Sequence, residues 1–275
     1  MRRVNAPGTA AVHERDLPPF SVGLHGWFML YVRRYLRRHF HAVRLLRGAP
    51  DHPQIGAEPV IFYSNHPSWW DPLVFLTIGG TLYPRRMIYG PIDATALGKY
   101  RFMERIGFIG IEPGTWRGSA RFLRMVRAAE QRRDVIFWIT AQGEFVDPRE
   151  RPVTIRPGVA HALAGRTSGF VVPLAVEYPF WTERFPEAVA AFGPALAIAD
   201  ARGRSAAEWE PVLAAALEAT QDRLAAAARS RDPAGFRTLL SGQVGVGGVY
   251  DLARRVGACL RGERFDASHG GEAAS

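Results

Sequence analysis

A histidine and an aspartate with four residues between them stand in the stretch Ser64-Asn65-His66-Pro67-Ser68-Trp69-Trp70-Asp71-Pro72. A histidine near its ordinary pKa of ~6.5 can take up a proton at neutral pH. A carboxylate on its other ring nitrogen would fix the tautomer and stabilise the imidazolium. His66 and Asp71 are close enough in sequence to meet across a tight turn. A structural alternative fits the same residues. Asp71 before Pro72 suits a helix N-cap with proline at the first helical position, and Ser68 with Asp71 suits a capping box. His66 would then be a hydrogen-bonded turn histidine.

What must hold such a pair is a rigid strand end. The stretch directly follows Val60 to Tyr63, an apolar run that reads as a buried strand. Catalytic groups concentrate where a strand gives way to a loop. In open α/β sheets, ligands sit outside the carboxyl ends of the strands. Arg86 to Tyr89, Phe108 to Ile111, Val135 to Ile139 and Phe170 to Val176 also read as strands, and Ala195 to Ile198 is a further candidate. Ala94 to Ile106 and Arg117 to Arg132 read as helices between them. This alternation predicts an α/β fold: a largely parallel or mixed sheet flanked by helices.

Around that domain, at 59–230, the chain changes character. Residues before Leu17 are small and polar. Leu24 to Leu46 reads as a basic amphipathic helix. Trp27, Phe28, Leu30, Tyr31, Tyr35, Leu36, Phe40, Val43 and Leu46 form an apolar stripe, interrupted by Arg33, Arg34, Arg37, Arg38, Arg44 and Arg47. Aromatics with clustered arginines suit a helix lying on an anionic membrane surface. Residues 1–58 are therefore a loose N-terminus plus a membrane-surface helix. An alanine-rich helix is expected over Ser205 to Arg229. Residues 231–275 carry a glycine-rich stretch from Gly242, a short helix at Val249 to Arg261, and a disordered tail.

The 275 residues, 47% of them hydrophobic and 22% charged, suit one globular domain with a small appendage. The single cysteine, Cys259, excludes an internal disulfide framework and a cysteine-built zinc site. No run approaches the ~20 apolar residues of a spanning helix, and no signal peptide is visible at the start. The net charge of +9 is almost all arginine, with Lys99 the only lysine. It favours an anionic partner, although an arginine-rich composition alone would give the same charge. No nucleic-acid motif accompanies it, so nucleic acid is not expected. His39 and His41 lack further ligands at useful spacing, so no metal is expected. Ser64 and Ser168 lack a nucleophile-elbow context.

Asn65-His66-Pro67-Ser68-Trp69-Trp70-Asp71 resembles the first block of the glycerolipid acyltransferases, the lysophospholipid or 1-acylglycerol-3-phosphate acyltransferases. The resemblance runs from Pro59 to Val176 and keeps order and spacing. It takes in Gly107-Phe108-Ile109-Gly110-Ile111-Glu112, then Val135 to Gly143, then Arg156-Pro157-Gly158-Val159-Ala160, and ends in Val172-Pro173-Leu174-Ala175-Val176. It implies an O-acyltransferase, with His66 as general base and Asp71 as its partner. The acyl group would move from acyl-CoA or an acyl carrier protein to the hydroxyl of a lysophospholipid-like or other lipid acceptor. No cofactor beyond the acyl donor is implied. Asn65, Arg117, Gln142, Gly143, Glu144, Arg156 and Pro173 are the implied substrate-binding residues. The protein would sit peripherally on the cytoplasmic face of a membrane. The alternative is a non-catalytic lipid-binding relative.

The sequence departs from the family twice. An arginine usually follows the acidic residue of the second block; here that position is Pro113. The third block of the family reads Phe-Pro-Glu-Gly-Thr-Arg; here it is Ile139-Thr140-Ala141-Gln142-Gly143-Glu144. Both departures fall where a phosphate clamp is expected. They predict an acceptor other than plain lysophosphatidic acid, unless Arg117 or Arg156 takes over the clamp.

Overall fold

The computed structural model describes residues 17–48, 56 and 58–245. The segment before Leu17, the Val249–Arg261 helix and the tail lie outside the described residues. The architecture is α/β, with helices on both faces of one mixed sheet. Helix α1 (Val22–His39) leads into β1 (Ala42–Leu46). Then come β2 (Val60–Ser64), α2 (Asp71–Leu82), β3 (Met87–Asp93), α3 (Ala94–Lys99) and β4 (Phe108–Ile111). The chain continues through α4 (Trp116–Glu130), β5 (Val135–Thr140), α5 (Gly158–Leu163) and β6 (Phe170–Glu177). It closes with β7 (Glu187–Phe192), β8 (Leu196–Ala197), α6 (Ala206–Ser230) and β9 (Phe236–Ser241).

The strand order is β4-β3-β5-β2-β6-β7-β1-β9, with β8 beside β6. The pairs from β4 through to β6 are all parallel, as is β1 with β7. The pairs β6–β7, β6–β8 and β1–β9 are antiparallel. Because β2 is flanked by β5 and β6 in parallel, their carboxyl ends open on one edge. Strand β3 changes partner midway: Met87–Tyr89 pair with β5 and Gly90–Asp93 with β4. Apolar side chains of α1 and α2 fill one face of the sheet, and α4, α5 and α6 cover the other. Helix α6 starts with a complete capping box formed by Ser205 and Glu208.

The basic helix is shorter than its periodicity predicts. It ends at His39, Phe40 is extended, and residues 42–46 form a strand. Phe40, Val43 and Leu46 continue the helical spacing, but a run this short satisfies both periods. Sheet pairing decides it, because Val43 and Leu45 are fully buried between neighbouring strands. Arg44 is buried as well. It donates to both carboxylate oxygens of Glu187 on β7 and to the Thr238 hydroxyl on β9, partners no local pattern reveals.

Three other expectations shift. The helix read over Ala94 to Ile106 divides into α3 and a 3₁₀ turn, Arg101–Ile106. The strand read over Ala195 to Ile198 shrinks to Leu196–Ala197, and a 3₁₀ turn begins at Ile198. Residues 236–241, placed with the C-terminal appendage, are a strand of the same sheet.

Gly107 makes the turn into β4 possible. Its φ is +104°, and a Cβ there would overlap the Ile88 carbonyl oxygen. Gly107→Ala is expected to lower stability by at least about 1–3 kcal/mol from backbone conformation alone. A denaturant melt compared with Gly98→Ala, where a Cβ would meet nothing, checks it.

Candidate active site

His66 and Asp71 do meet. His66 Nδ1 lies 2.6 Å from Asp71 Oδ2, just beyond the carboxyl end of β2. Asp71 opens α2, followed by Pro72, so the helix dipole favours its charge. Its side chain does not cap that helix; Trp70 is the N-cap residue and makes no side-chain cap bond. Asp71 Oδ2 instead also accepts the Ser68 N–H, while Ser68 Oγ accepts the Trp70 N–H. These bonds fold the Pro67–Trp70 turn tightly and point the carboxylate back at the imidazole.

Asp71 is fully buried, whereas the His66 side chain keeps about 19% of its surface exposed. Burial pushes the Asp71 carboxyl above the usual carboxylate range; the bonds from His66, Tyr178 and Ser68 pull it only part of the way back. Asp71 therefore holds its position inside the protein while His66 faces outward. With Nδ1 turned inward, Nε2 is the ring atom free to take a proton from outside.

The backbone under the dyad is held from both neighbouring strands. The Asn65 side-chain amide is buried and bonds both ways with β6: its Nδ2 donates to the Val176 carbonyl, and its Oδ1 accepts the Val176 N–H, each at 2.9 Å. The Gln142 Oε1 accepts the His66 N–H at 2.8 Å. A glutamate could accept the same bond but would add charge, so this contact explains how the uncharged Gln142 serves. Gly143 has φ +67°, and a Cβ there would overlap the Arg156 side chain. Arg156 in turn donates from Nε to the Gln142 carbonyl and from its N–H to the Ala141 carbonyl.

Asn65, His66, Asp71, Gln142, Gly143 and Arg156 thus gather at the ends of β2 and β5. Glu144 follows in the exposed turn. Two expected residues do not join them. Arg117 is exposed on the first turn of α4, over the Trp116 ring. Strand β4, which precedes that helix, stands three places from β2, roughly 14 Å at ~4.8 Å per strand. Pro173 is buried within β6 opposite Tyr63, and its carbonyl accepts the Gly193 N–H. It is part of the frame.

Three further contacts complete the site. The Phe145 ring lies over His66 at 4.6 Å between centroids, and the Val146 N–H donates to the His66 carbonyl. Trp69 stacks on Trp70 at 4.2 Å, and Tyr35 and His39 of α1 pack against Trp70. Tyr178, just past β6, donates its hydroxyl to Asp71 Oδ1 at 2.5 Å. Its only signal in the sequence is its position two residues after the last block, at a strand's carboxyl end.

Beside the dyad, an apolar cavity runs along the sheet under α2. Pro72, Phe75, Ile88, Gly90, Phe108 and Trp138 line it, and its cavity volume is about 50 Å³. Thr140 and Pro72 mark its dyad end, and Ile88 and Gly107 its far end. Ile88 pairs with Ile136, four residues before Thr140, so the strand residues that line it span on the order of 13 Å at ~3.3 Å per residue. Among the described residues, no three His, Cys, Asp or Glu stand together as a metal site.

No protein-family model matches this sequence, and no curated protein matches it either. The fold and the site define an α/β protein with a His–Asp pair at the carboxyl end of a central strand, beside a small apolar cavity.

Proposed function

We propose that the protein is an O-acyltransferase acting on a lipid hydroxyl. The observation that carries this reading is the His66–Asp71 pair at the carboxyl end of β2, with a small apolar cavity starting at Pro72, the residue after Asp71. In this reading the acyl group of a thioester, from acyl-CoA or an acyl carrier protein, is presented to His66 beside Pro72. His66 Nε2 takes the proton of the acceptor hydroxyl as its oxygen attacks the thioester carbonyl carbon. The carbon–sulfur bond breaks, and the thiolate leaves with the proton from His66. An ester and a free thiol result. Asp71 holds the imidazole and stabilises its charged form. Positioning two bound substrates supplies much of the remaining rate.

The direct test offers purified protein an acyl thioester with a panel of lysolipids and lipid alcohols. Thiol release that depends on the acceptor supports the reading. No release with any pair would favour the non-catalytic lipid-binding alternative.

The acceptor reading rests on one position. Gln142 is uncharged and occupied with the His66 N–H, whereas Pro113 stands with Arg117 beyond β4. A lost charge-assisted phosphate contact costs roughly 1.5–3 kcal/mol. The expected acceptor is therefore a glycolipid, aminolipid or other hydroxylated lipid in preference to lysophosphatidic acid. A competition assay checks it. A clear preference for lysophosphatidic acid, lost on Arg156→Ala, would show that the clamp has moved.

A membrane partner completes the reading. The outward face of α1 carries Trp27 at 62% exposure and Leu30 at 70%, with Tyr31 beside them. Arg34, Arg37 and Arg38 continue the same face toward the dyad. Among the described residues, no helix is long and apolar enough to cross a membrane. The proposed attachment is peripheral, to an anionic surface. Deleting α1 is not a clean test, because Phe28, Val32 and Leu36 are core. Replacing Arg34, Arg37 and Arg38 with serine should weaken binding to anionic vesicles by roughly a hundredfold, at ~1 kcal/mol each. Binding to neutral vesicles should be unaffected. Equal loss on both would point to misfolding.

A further inference from the structure

The dyad has a third member. The Tyr178 ring is half-buried between the end of β6 and the dyad turn, with Phe40 at 5.7 Å. Its hydroxyl reaches Asp71 Oδ1 at 2.5 Å, while Oδ2 faces His66 and the Ser68 N–H. The backbone just before Tyr178 cannot shift easily, because Asn65 clamps Val176 on both sides. Both carboxylate oxygens of a fully buried aspartate are thus held, from two strands.

We infer that Tyr178 is a positioning residue: its hydroxyl fixes which oxygen of Asp71 faces His66, and it draws charge from that carboxylate. The inference rests on the reading of His66 as the general base. Burial and the neighbouring Asp71 push the Tyr178 hydroxyl well above its usual range, so it stays a donor at every working pH. Charge shared with Tyr178 is not available to the imidazolium. The hydroxyl therefore keeps His66 from holding a proton too tightly, which suits a base that must start neutral.

Among the described residues, neither of the ionisable groups nearest Tyr178, His39 and Glu177, has a hydrogen bond to the pair. His39 of α1, against Trp70, has its Nδ1 at 2.9 Å from the Tyr35 carbonyl. Glu177, adjacent to Tyr178, feels Arg149, Arg151, Arg229 and Asp147. The pair and Tyr178 form their own proton-sharing unit.

The test follows His66 itself. Full-length protein labelled with ¹⁵N-histidine is titrated by NMR, with the His66 signals assigned from His66→Gln. In Tyr178→Phe the ring stays and the donor goes, so the pair should hold its proton to a pH higher by about half to one pH unit. The acid limb of kcat/KM should move by the same amount, and the rate at neutral pH should fall about 3–10-fold. Site-specific 3-fluorotyrosine at 178, a stronger donor, should move the titration the opposite way. It also decides the matter alone if Tyr178→Phe does not fold. Folded variants whose His66 titrates as in the wild type would overturn the inference, whatever their rates. A shifted titration in a protein that consumes no thioester supports the role of Tyr178 and removes the acyltransferase reading.

Discussion

His66→Ala is expected to lower thioester turnover by about 10²–10⁴-fold, the usual worth of a general base. A variant retaining more than about a tenth of the wild-type rate would rule out that role. Read as a loop residue, His66 would carry little packing energy. The structure assigns it more, since only about 19% of its side chain is exposed and it pairs with buried Asp71. Truncation leaves Asp71 with the Ser68 N–H, Tyr178 and whatever water enters. A cost of roughly 1–3 kcal/mol is expected, within the 5–15 kcal/mol typical of a folded domain. Circular dichroism and a denaturant melt should therefore show a folded, somewhat weakened protein. Activity loss with a native melt would be the clearest outcome.

Asp71→Asn should be as severe for activity and far milder for stability. The amide favours the wrong histidine tautomer, a change worth up to about 10⁴-fold in a comparable triad. The stability argument depends on sign. The folded Asp71 carboxyl is raised above its ordinary value, mainly by burial. Its contribution is fully present below the unfolded pKa of about 3.9 and is lost as pH rises through the folded value. At neutral pH the ionised side chain is thus a net liability that function retains. The variant should unfold at neutral pH within about 1 kcal/mol of wild type, or above it. It should also lack the stability decline expected of wild type on leaving the acid range. Denaturant midpoints taken from acid to neutral pH check both points. A large stability loss at neutral pH would mean that the bonds from Tyr178 and Ser68 outweigh the burial cost.

Much of the sheet was legible because its parallel strands are apolar on both faces. Val60–Ser64, Phe108–Ile111 and Val135–Thr140 are short runs of that kind, bounded by turns. The dyad was legible because its partners are local. What stayed hidden depends on distant partners. Strand β7 reads Glu-Ala-Val-Ala-Ala-Phe, weak in strand-forming side chains, and is placed by β6 and β1. Strand β9 has meaning only as the antiparallel neighbour of β1, nearly two hundred residues earlier. Helix α2 is apolar all round and carries Gly79 and Gly80, so it shows no stripe. A Cβ at Gly79 would displace the end of the Ile88 side chain. Tyr178 was invisible for the same reason as β9, since Asp71 lies 107 residues away.

Helix α1 is tied at both ends. Before it, the Ser21 N–H donates to the Arg105 carbonyl, and the Pro18 carbonyl accepts the Tyr89 hydroxyl. After it, Phe40 leads within two residues into β1, locked between β7 and β9. The helix has no hinge, so it cannot swing out as a tether would. If its outer face rests on a plane, that plane is held about one helix thickness, ~10 Å, from the dyad turn at Trp70, which α1 packs against. The element then works as a fixed spacer. It sets how far an acceptor must rise from its own layer before its hydroxyl reaches the base, and so favours acceptors whose reactive group protrudes by that height.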